Sequence, residues 1–255
     1  MKIAVSGKGG VGKTTLSSLL ARYWAKKGYR VLTVDADPDA NLGSALGIDT
    51  TGIVPIAKME ELITERTGAK PGTVGGFFKM NPKVDDLPES LGRERDGVRL
   101  LVMGTVKKGG GGCVCPESVL LKALMSHLVL YYKELVIMDM EAGIEHLGRG
   151  TAQGVDCLII VVEPGQRSIE TAAKVKQLTE DIGLTRIVAV GSKVRNQKQE
   201  DFLRAKLDGI PLVGILPFSD EIANADLESR PPNLDDPTIF KAIEGIARQL
   251  ESENQ

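Results

Sequence analysis

Short apolar runs rich in β-branched residues alternate along the chain with segments whose apolar positions return every three or four residues. The first kind predicts strands over 2–5, 31–35, 98–103, 135–140, 157–162, 187–190 and 212–216. The second predicts helices over 14–27, 118–130, 168–182, 199–207 and 238–250. Parallel strands need a crossover of a dozen or more residues between them, which these helices supply, so the pattern implies a mainly parallel sheet flanked by helices. The strands lack polar alternation, as expected when both faces of a sheet are covered. From 48 to 97 the rhythm breaks. That stretch offers one helix, over 58–67, followed by Gly- and Pro-containing irregular segments, and reads as an insertion within a single 1–255 α/β domain.

Composition narrows the classes of partner. Lys plus Arg, at 32, nearly balances Asp plus Glu, at 34, so the net charge of −2 gives no electrostatic reason to expect nucleic acid. No apolar run approaches bilayer length, and the chain runs from Met1 straight into a strand without an apolar leader, so a cytoplasmic protein with no membrane partner is expected. Three cysteines are too few for a secreted disulfide framework, and a close pair in such a chain suggests metal or redox chemistry.

The most specific motif follows the first strand. Gly7-Lys8-Gly9-Gly10-Val11-Gly12-Lys13-Thr14 fits the G-x-x-x-x-G-K-[ST] phosphate loop and lies between a strand and a helix. Glycines let successive N–H groups turn inward around phosphate oxygens, and the positive end of the following helix adds attraction for the anion. Lys13 is placed to reach the β- and γ-phosphates, and the Thr14 hydroxyl to ligate Mg²⁺. Gly9, Gly10, Val11, Gly12, Lys13, Thr14 and Thr15 are therefore expected to bind ATP or ADP. Two strand ends add carboxylates. The run Leu135-Val136-Ile137-Met138 ends in Asp139, and Val31-Leu32-Thr33-Val34 ends in Asp35-Ala36-Asp37, at the carboxyl edge where open α/β sheets bind ligands. Alternation along extended backbone directs Asp35 and Asp37 to one side, whereas Asp39 and Asn41 read as turn or cap residues.

The stretch Lys8-Gly9-Gly10-Val11-Gly12-Lys13-Thr14-Thr15 resembles the deviant Walker A loop of the SIMIBI class of P-loop NTPases, which contains nitrogenase iron protein, Min-type cell-division ATPases and partition ATPases. The resemblance implies an ATP-sandwiching homodimer in which Lys8 crosses to the partner's nucleotide. It also implies that Asp139 is a Walker B aspartate, that Asp35 lies near Mg²⁺ and that Asp37 positions water, which makes Lys8, Lys13, Asp37 and Asp139 the expected catalytic residues. Guanine sites of related proteins use Asn-Lys-x-Asp. The matching strand end here is Ser192-Lys193-Val194-Arg195, which disfavours GTP. ATPases of the class usually carry Asn where Ser192 stands, so how adenine is read stays open, with Lys193 and the Pro217-Phe218 loop expected beside it.

Cys113-Val114-Cys115 follows a run of four glycines. Cysteines two apart on extended backbone can point both sulfurs at one metal, which supplies half of a tetrahedral site that a twofold mate could complete. Together with Met103-Gly104, Lys107-Lys108-Gly109-Gly110 and the segment Met138-Asp139-Met140 through Gly150-Thr151, the pair resembles the carbon monoxide dehydrogenase maturation ATPases. That resemblance spans nearly the whole chain. It implies a nickel-handling homodimer, promoted by nucleotide and metal, that couples MgATP hydrolysis to nickel insertion into the Ni-Fe-S cluster of carbon monoxide dehydrogenase or acetyl-CoA synthase. Cys113 and Cys115 would then carry Ni²⁺, with Zn²⁺ as a competitor for the same soft ligands. The alternative is an electron-transfer ATPase like nitrogenase iron protein, with an iron-sulfur cluster between subunits. His146 is open to a structural or an auxiliary role, while Cys157 and His127 are expected to be structural.

Overall fold

The computed structural model describes residues 1–37, 41–73, 77–104, 115–141, 152 and 154–252. Its strands are β1 (Lys2–Gly7), β2 (Val31–Ala36), β3 (Arg93–Arg95), β4 (Val98–Val102), β5 (Leu135–Met140), β6 (Cys157–Val162), β7 (Ile187–Val194) and β8 (Leu212–Pro217). They form one sheet in the order β3-β4-β2-β5-β1-β6-β7-β8. Every neighbouring pair is parallel except β3 with β4, a short antiparallel edge. The described helices of five or more residues are α1 (Lys13–Lys26), α2 (Leu42–Leu46), α3 (Glu60–Thr67), α4 (Leu87–Leu91), α5 (Pro116–Leu130), α6 (Gln166–Ile182), α7 (Gln197–Lys206), α8 (Asp220–Leu227) and α9 (Pro237–Ser252). None is long and apolar enough to cross a membrane.

The period-2 alternation of the strands divides the interior in two. Ile3, Val5, Ile137, Ile159 and Val161 pack with Leu16, Leu19, Leu20 and Trp24 of α1 and with Ile239, Ile243 and Ile246 of α9. Ala4, Val34, Val136, Met138, Leu158 and Ile160 face the other way, onto Leu120, Leu124 and Leu128 of α5 and Ala172 and Val175 of α6. Burying both faces explains why these strands read as continuous apolar runs. The same alternation fixes where the acids go. Asp35 lies one residue beyond Val34 and Asp139 two beyond Ile137, so both carboxylates fall on the α1 side of the sheet.

Several expectations need correction. β7 runs on to Val194, past the expected end at Val190, because Gly191, Ser192 and Val194 still pair with β8, with a register irregularity at Lys193. β3, α2, α4 and α8 were not anticipated; the first three are only three to five residues long, too short to show a period. The segment from 48 to 97 contributes to the packing. Ile56, Ile63, Val84 and Leu87 are buried with α5 and the sheet in one cluster.

Gly7 closes β1 at φ +146°, and a methyl group there would sit 2.5 Å from the carbonyl oxygen of Val161. Gly7→Ala therefore strains both the backbone and the packing of β6, and we expect it to lower unfolding stability by about 1–3 kcal/mol. Urea denaturation checks this, and a wild-type midpoint would contradict it.

Candidate functional site

The sheet order puts β1 between β5 and β6, so the chain turns to opposite sides of β1 at the carboxyl edge. A crevice outside that edge is where open α/β folds take ligands. The loop from Gly7 to Gly12 lies there, and α1 begins at Lys13 behind Gly12 at φ 100°, with no acidic residue in its first turn. Fourteen residues of aligned peptide dipoles thus point an uncompensated positive end at the loop.

Below the loop lies a buried charge cluster. Asp35 and Asp139 are register partners on β2 and β5, each 1% exposed, and Lys13 is 8% exposed. Thr14 is hydrogen-bonded to the Asp139 carboxylate, and the Ser17 hydroxyl donates to Asp139 Oδ1 at 3.2 Å. Burial pushes the Asp139 carboxyl up to about 7, and the nearby Asp35 charge adds to this, while the Thr14, Lys13 and Ser17 contacts oppose it. Burial likewise raises Asp35 to about 6, against backbone hydrogen bonds from the N–H groups of Leu42, at 3.0 Å, and Asp37, at 3.2 Å. Two desolvated carboxylates side by side, next to a threonine hydroxyl, form a hard oxygen donor set suited to Mg²⁺, which usually takes one or two carboxylates plus phosphate oxygens.

The remaining expected residues arrive from separate elements. Lys8 in the loop pairs with Glu163 just beyond β6, at 3.8 Å, and Lys193 pairs with the other oxygen of Glu163 at 3.9 Å. Lys193, at φ 57°, also donates to the carbonyl oxygen of Gly10 at 2.5 Å. Val11 is fully buried and anchors the loop, whereas Gly9 and Gly10 are exposed. Ser192 is 3% exposed and lies under Gly12, where a Cβ would come within 3.0 Å of its Oγ. Pro217 ends β8, and the N–H of Phe218 donates to the Val194 carbonyl at 2.9 Å, which ties the β7 and β8 ends together. Asp37 is half-buried beside Asp35.

The second expected centre is only partly described. Cys113, His146, Asp39 and the 142–150 stretch lie outside the described residues. Cys115 is buried directly ahead of α5, with its Sγ 3.1 Å from Ser118 Oγ. The 48–97 segment reaches the same helix end, where the Gly72 N–H donates to the Glu117 carboxylate at 3.2 Å. Cys157 is fully buried in β6, and His127 lies in ring contact with Tyr131 and Tyr132, placements that match their expected structural roles.

The sequence profile of the CobQ/CobB/MinD/ParA nucleotide binding domain matches residues 2–232. The chain belongs to this family. Among relatives within and around the MinD/ParA group, an uncharacterized ATP-binding protein of Methanocaldococcus jannaschii is 47% identical over 96% of this chain and 96% of its own length. The carbon monoxide dehydrogenase accessory protein CooC of Rhodospirillum rubrum is 48% identical over 89% of this chain and 87% of its own. The septum site-determining protein MinD of Pyrococcus horikoshii, solved as its Mg-ADP complex, shares the fold at a TM-score of 0.68 and 20% identity, covering 99% of this chain and 96% of that one. The protein is a MinD/ParA-type P-loop ATPase.

Three residues of the site escaped the sequence reading. Ser17 stands three positions after Thr14, a helical spacing that shares one face. Glu163 directly follows the apolar run 157–162, the same strand-end signal that marked Asp139. Arg195 was read only as a departure from the guanine motif; its stacking, with the guanidinium carbon 3.4 Å from the Phe218 ring centre, had no local signal, since it joins residues 23 apart in sequence through the β7–β8 pairing.

The raised carboxyls make a signed prediction. Where a folded-state pKa exceeds the unfolded value, the folded chain keeps a proton that the unfolded chain has released, so stability falls as pH rises from about 4 through about 7. In nucleotide-free, magnesium-free protein, Asp139→Asn should remove much of that fall and add on the order of 2 kcal/mol at pH 8. Chemical denaturation at pH 5 and pH 8 tests it; an unchanged pH profile would count against the assignment.

Proposed function

We propose that this chain is the ATP-driven accessory protein of a nickel enzyme, a metallochaperone that works as a homodimer and delivers Ni²⁺ to the Ni-Fe-S cluster of carbon monoxide dehydrogenase or acetyl-CoA synthase. The observation that carries this reading is the near-full-length identity to a carbon monoxide dehydrogenase accessory protein, joined to the Cys113-x-Cys115 pair in this sequence. Fold alone would not separate this role from cell-division or partition switches, because one fold hosts many functions.

At the nucleotide end, the loop amides from Gly9 to Thr15 bind the phosphates and Lys13 neutralises charge on the β- and γ-oxygens. Thr14, Asp35 and Asp139 hold Mg²⁺ directly or through water, and the ion draws charge from the phosphate oxygens when bound. Asp37 orients the attacking water. The bond from its oxygen to the γ-phosphorus forms as the bond to the β-γ bridging oxygen breaks, leaving ADP and phosphate. Lys8, half-exposed and tethered to Glu163, is released on dimerisation to add a positive charge at the partner's γ-phosphate. Lys193, Pro217 and Phe218 border the base.

At the cargo end, Cys113 and Cys115 of each protomer hold Ni²⁺, or Zn²⁺ in its place, as two pairs of thiolates across the twofold axis. Cys115 sits at the start of α5, and Glu117 two residues on is fastened to the 48–97 segment, so a shift of that segment is felt at the metal pair. The presence of γ-phosphate biases a dimer geometry that keeps metal, with hydrolysis resetting it.

Lys13→Ala should lower MgATP hydrolysis by about two orders of magnitude or more. Cys113→Ser and Cys115→Ser should abolish Ni²⁺ retention in equilibrium dialysis while leaving nucleotide affinity unchanged. Undiminished nickel binding by both cysteine variants would end the metallochaperone reading and leave the ATPase intact.

A further inference from the structure

The position that commonly carries a base-reading Asn in this class is filled here by Ser192, and the structure shows what Ser192 does instead. It is 3% exposed and packs beneath the phosphate loop, its Oγ 3.0 Å from where a Cβ on Gly12 would stand. A side chain occupied in that way is not directed at a base. The recognition of the base therefore has to come from residues farther along the same edge.

Those residues are built in. At Lys193 the chain adopts φ 57° and the β7–β8 register shifts, a bulge of the kind that re-aims side chains beside active sites. Lys193 turns onto the Gly10 carbonyl, and two residues later Arg195 swings over the ring of Phe218, with its guanidinium carbon 3.4 Å from the ring centre. Both partners of the stack are held by their backbones. The Arg195 N–H donates to Gln199 Oε1 at 2.7 Å, and the Phe218 N–H donates to the Val194 carbonyl at 2.9 Å. Asn196 caps α7 by accepting from the Gln199 N–H at 3.1 Å, which fixes the turn between them.

We propose that Arg195 and Phe218 form the base platform of the nucleotide site, with the purine stacking on the outer face of the Arg195 guanidinium while the inner face lies on Phe218. A guanidinium is planar, weakly hydrated and stacks on π systems from both sides. Arg195 is exposed, so the outer face is open. Arg195 follows Ser192 by three residues, past the bulge at Lys193 that carries the chain away from the phosphate loop. Arg195 is thus a specificity residue acting on the base rather than on the triphosphate. The inference rests on the ATP-site reading and goes beyond it by naming the group that binds the base.

Calorimetric titration of the full chain with MgATP, and with magnesium tripolyphosphate as the base-free ligand, tests it. Arg195→Ala and Phe218→Ala should each weaken MgATP by about tenfold and leave tripolyphosphate within about twofold of wild type. Arg195→Lys, which keeps the charge and loses the plane, should not restore ATP affinity, whereas Phe218→Tyr should. Equal weakening of both ligands would make Arg195 a phosphate ligand and overturn the proposal, as would wild-type ATP binding in both alanine variants or in Arg195→Lys. Wild-type protein that bound neither ligand would remove the nucleotide site itself, a different result from the loss of the base-dependent part alone.

Discussion

The site depends on two carboxylates being buried side by side beneath a loop of backbone N–H groups. Ionised carboxylates taken out of water are costly unless paired, and Asp35 and Asp139 sit as register neighbours with exposures of 1% each. Lys13 answers only one charge, and it is the same lysine that the phosphate loop needs for its ligand. Burial accordingly raises both carboxyls above the usual carboxylate range.

Everything around this cluster serves to hold it in a fixed geometry. Period-2 alternation sends Asp35 and Asp139 to the α1 face, and the contacts from Thr14 and Ser17 lock the first turn of α1 to the end of β5. The apolar layer of α1 and α9 beneath keeps that turn from moving independently of the sheet. Loop, helix start and strand ends are thereby joined in one packed unit. Glu163 extends the unit sideways by gathering Lys8 and Lys193 around one carboxylate.

The start of α5 is built differently. Cys115 is seated at the start of a helix whose apolar side is part of the core, yet its neighbour Glu117 contacts the 48–97 segment. That segment contributes Ile56, Ile63, Val84 and Leu87 to the core while presenting Phe77 and Met80 to solvent. It is anchored at one face and exposed at the other.

The residues by themselves determined the strand-helix alternation, the phosphate loop and the strand-end aspartates, because each rests on local periodicity or on spacing within a dozen residues. They also determined the family, since the motif text runs nearly the length of the chain. Short elements such as β3 and α2 were not legible, because three to five residues carry no resolvable period and their conformation is imposed by neighbours. What only the tertiary structure decided is which distant residues share a place: Ser17 with Asp139, Glu163 with Lys8 and Lys193, Arg195 with Phe218. Those meetings follow from the strand order, which brings β1, β5 and β2 together on one side and β6, β7 and β8 on the other. Strand order is set by the packing of whole layers rather than by any local run of sequence.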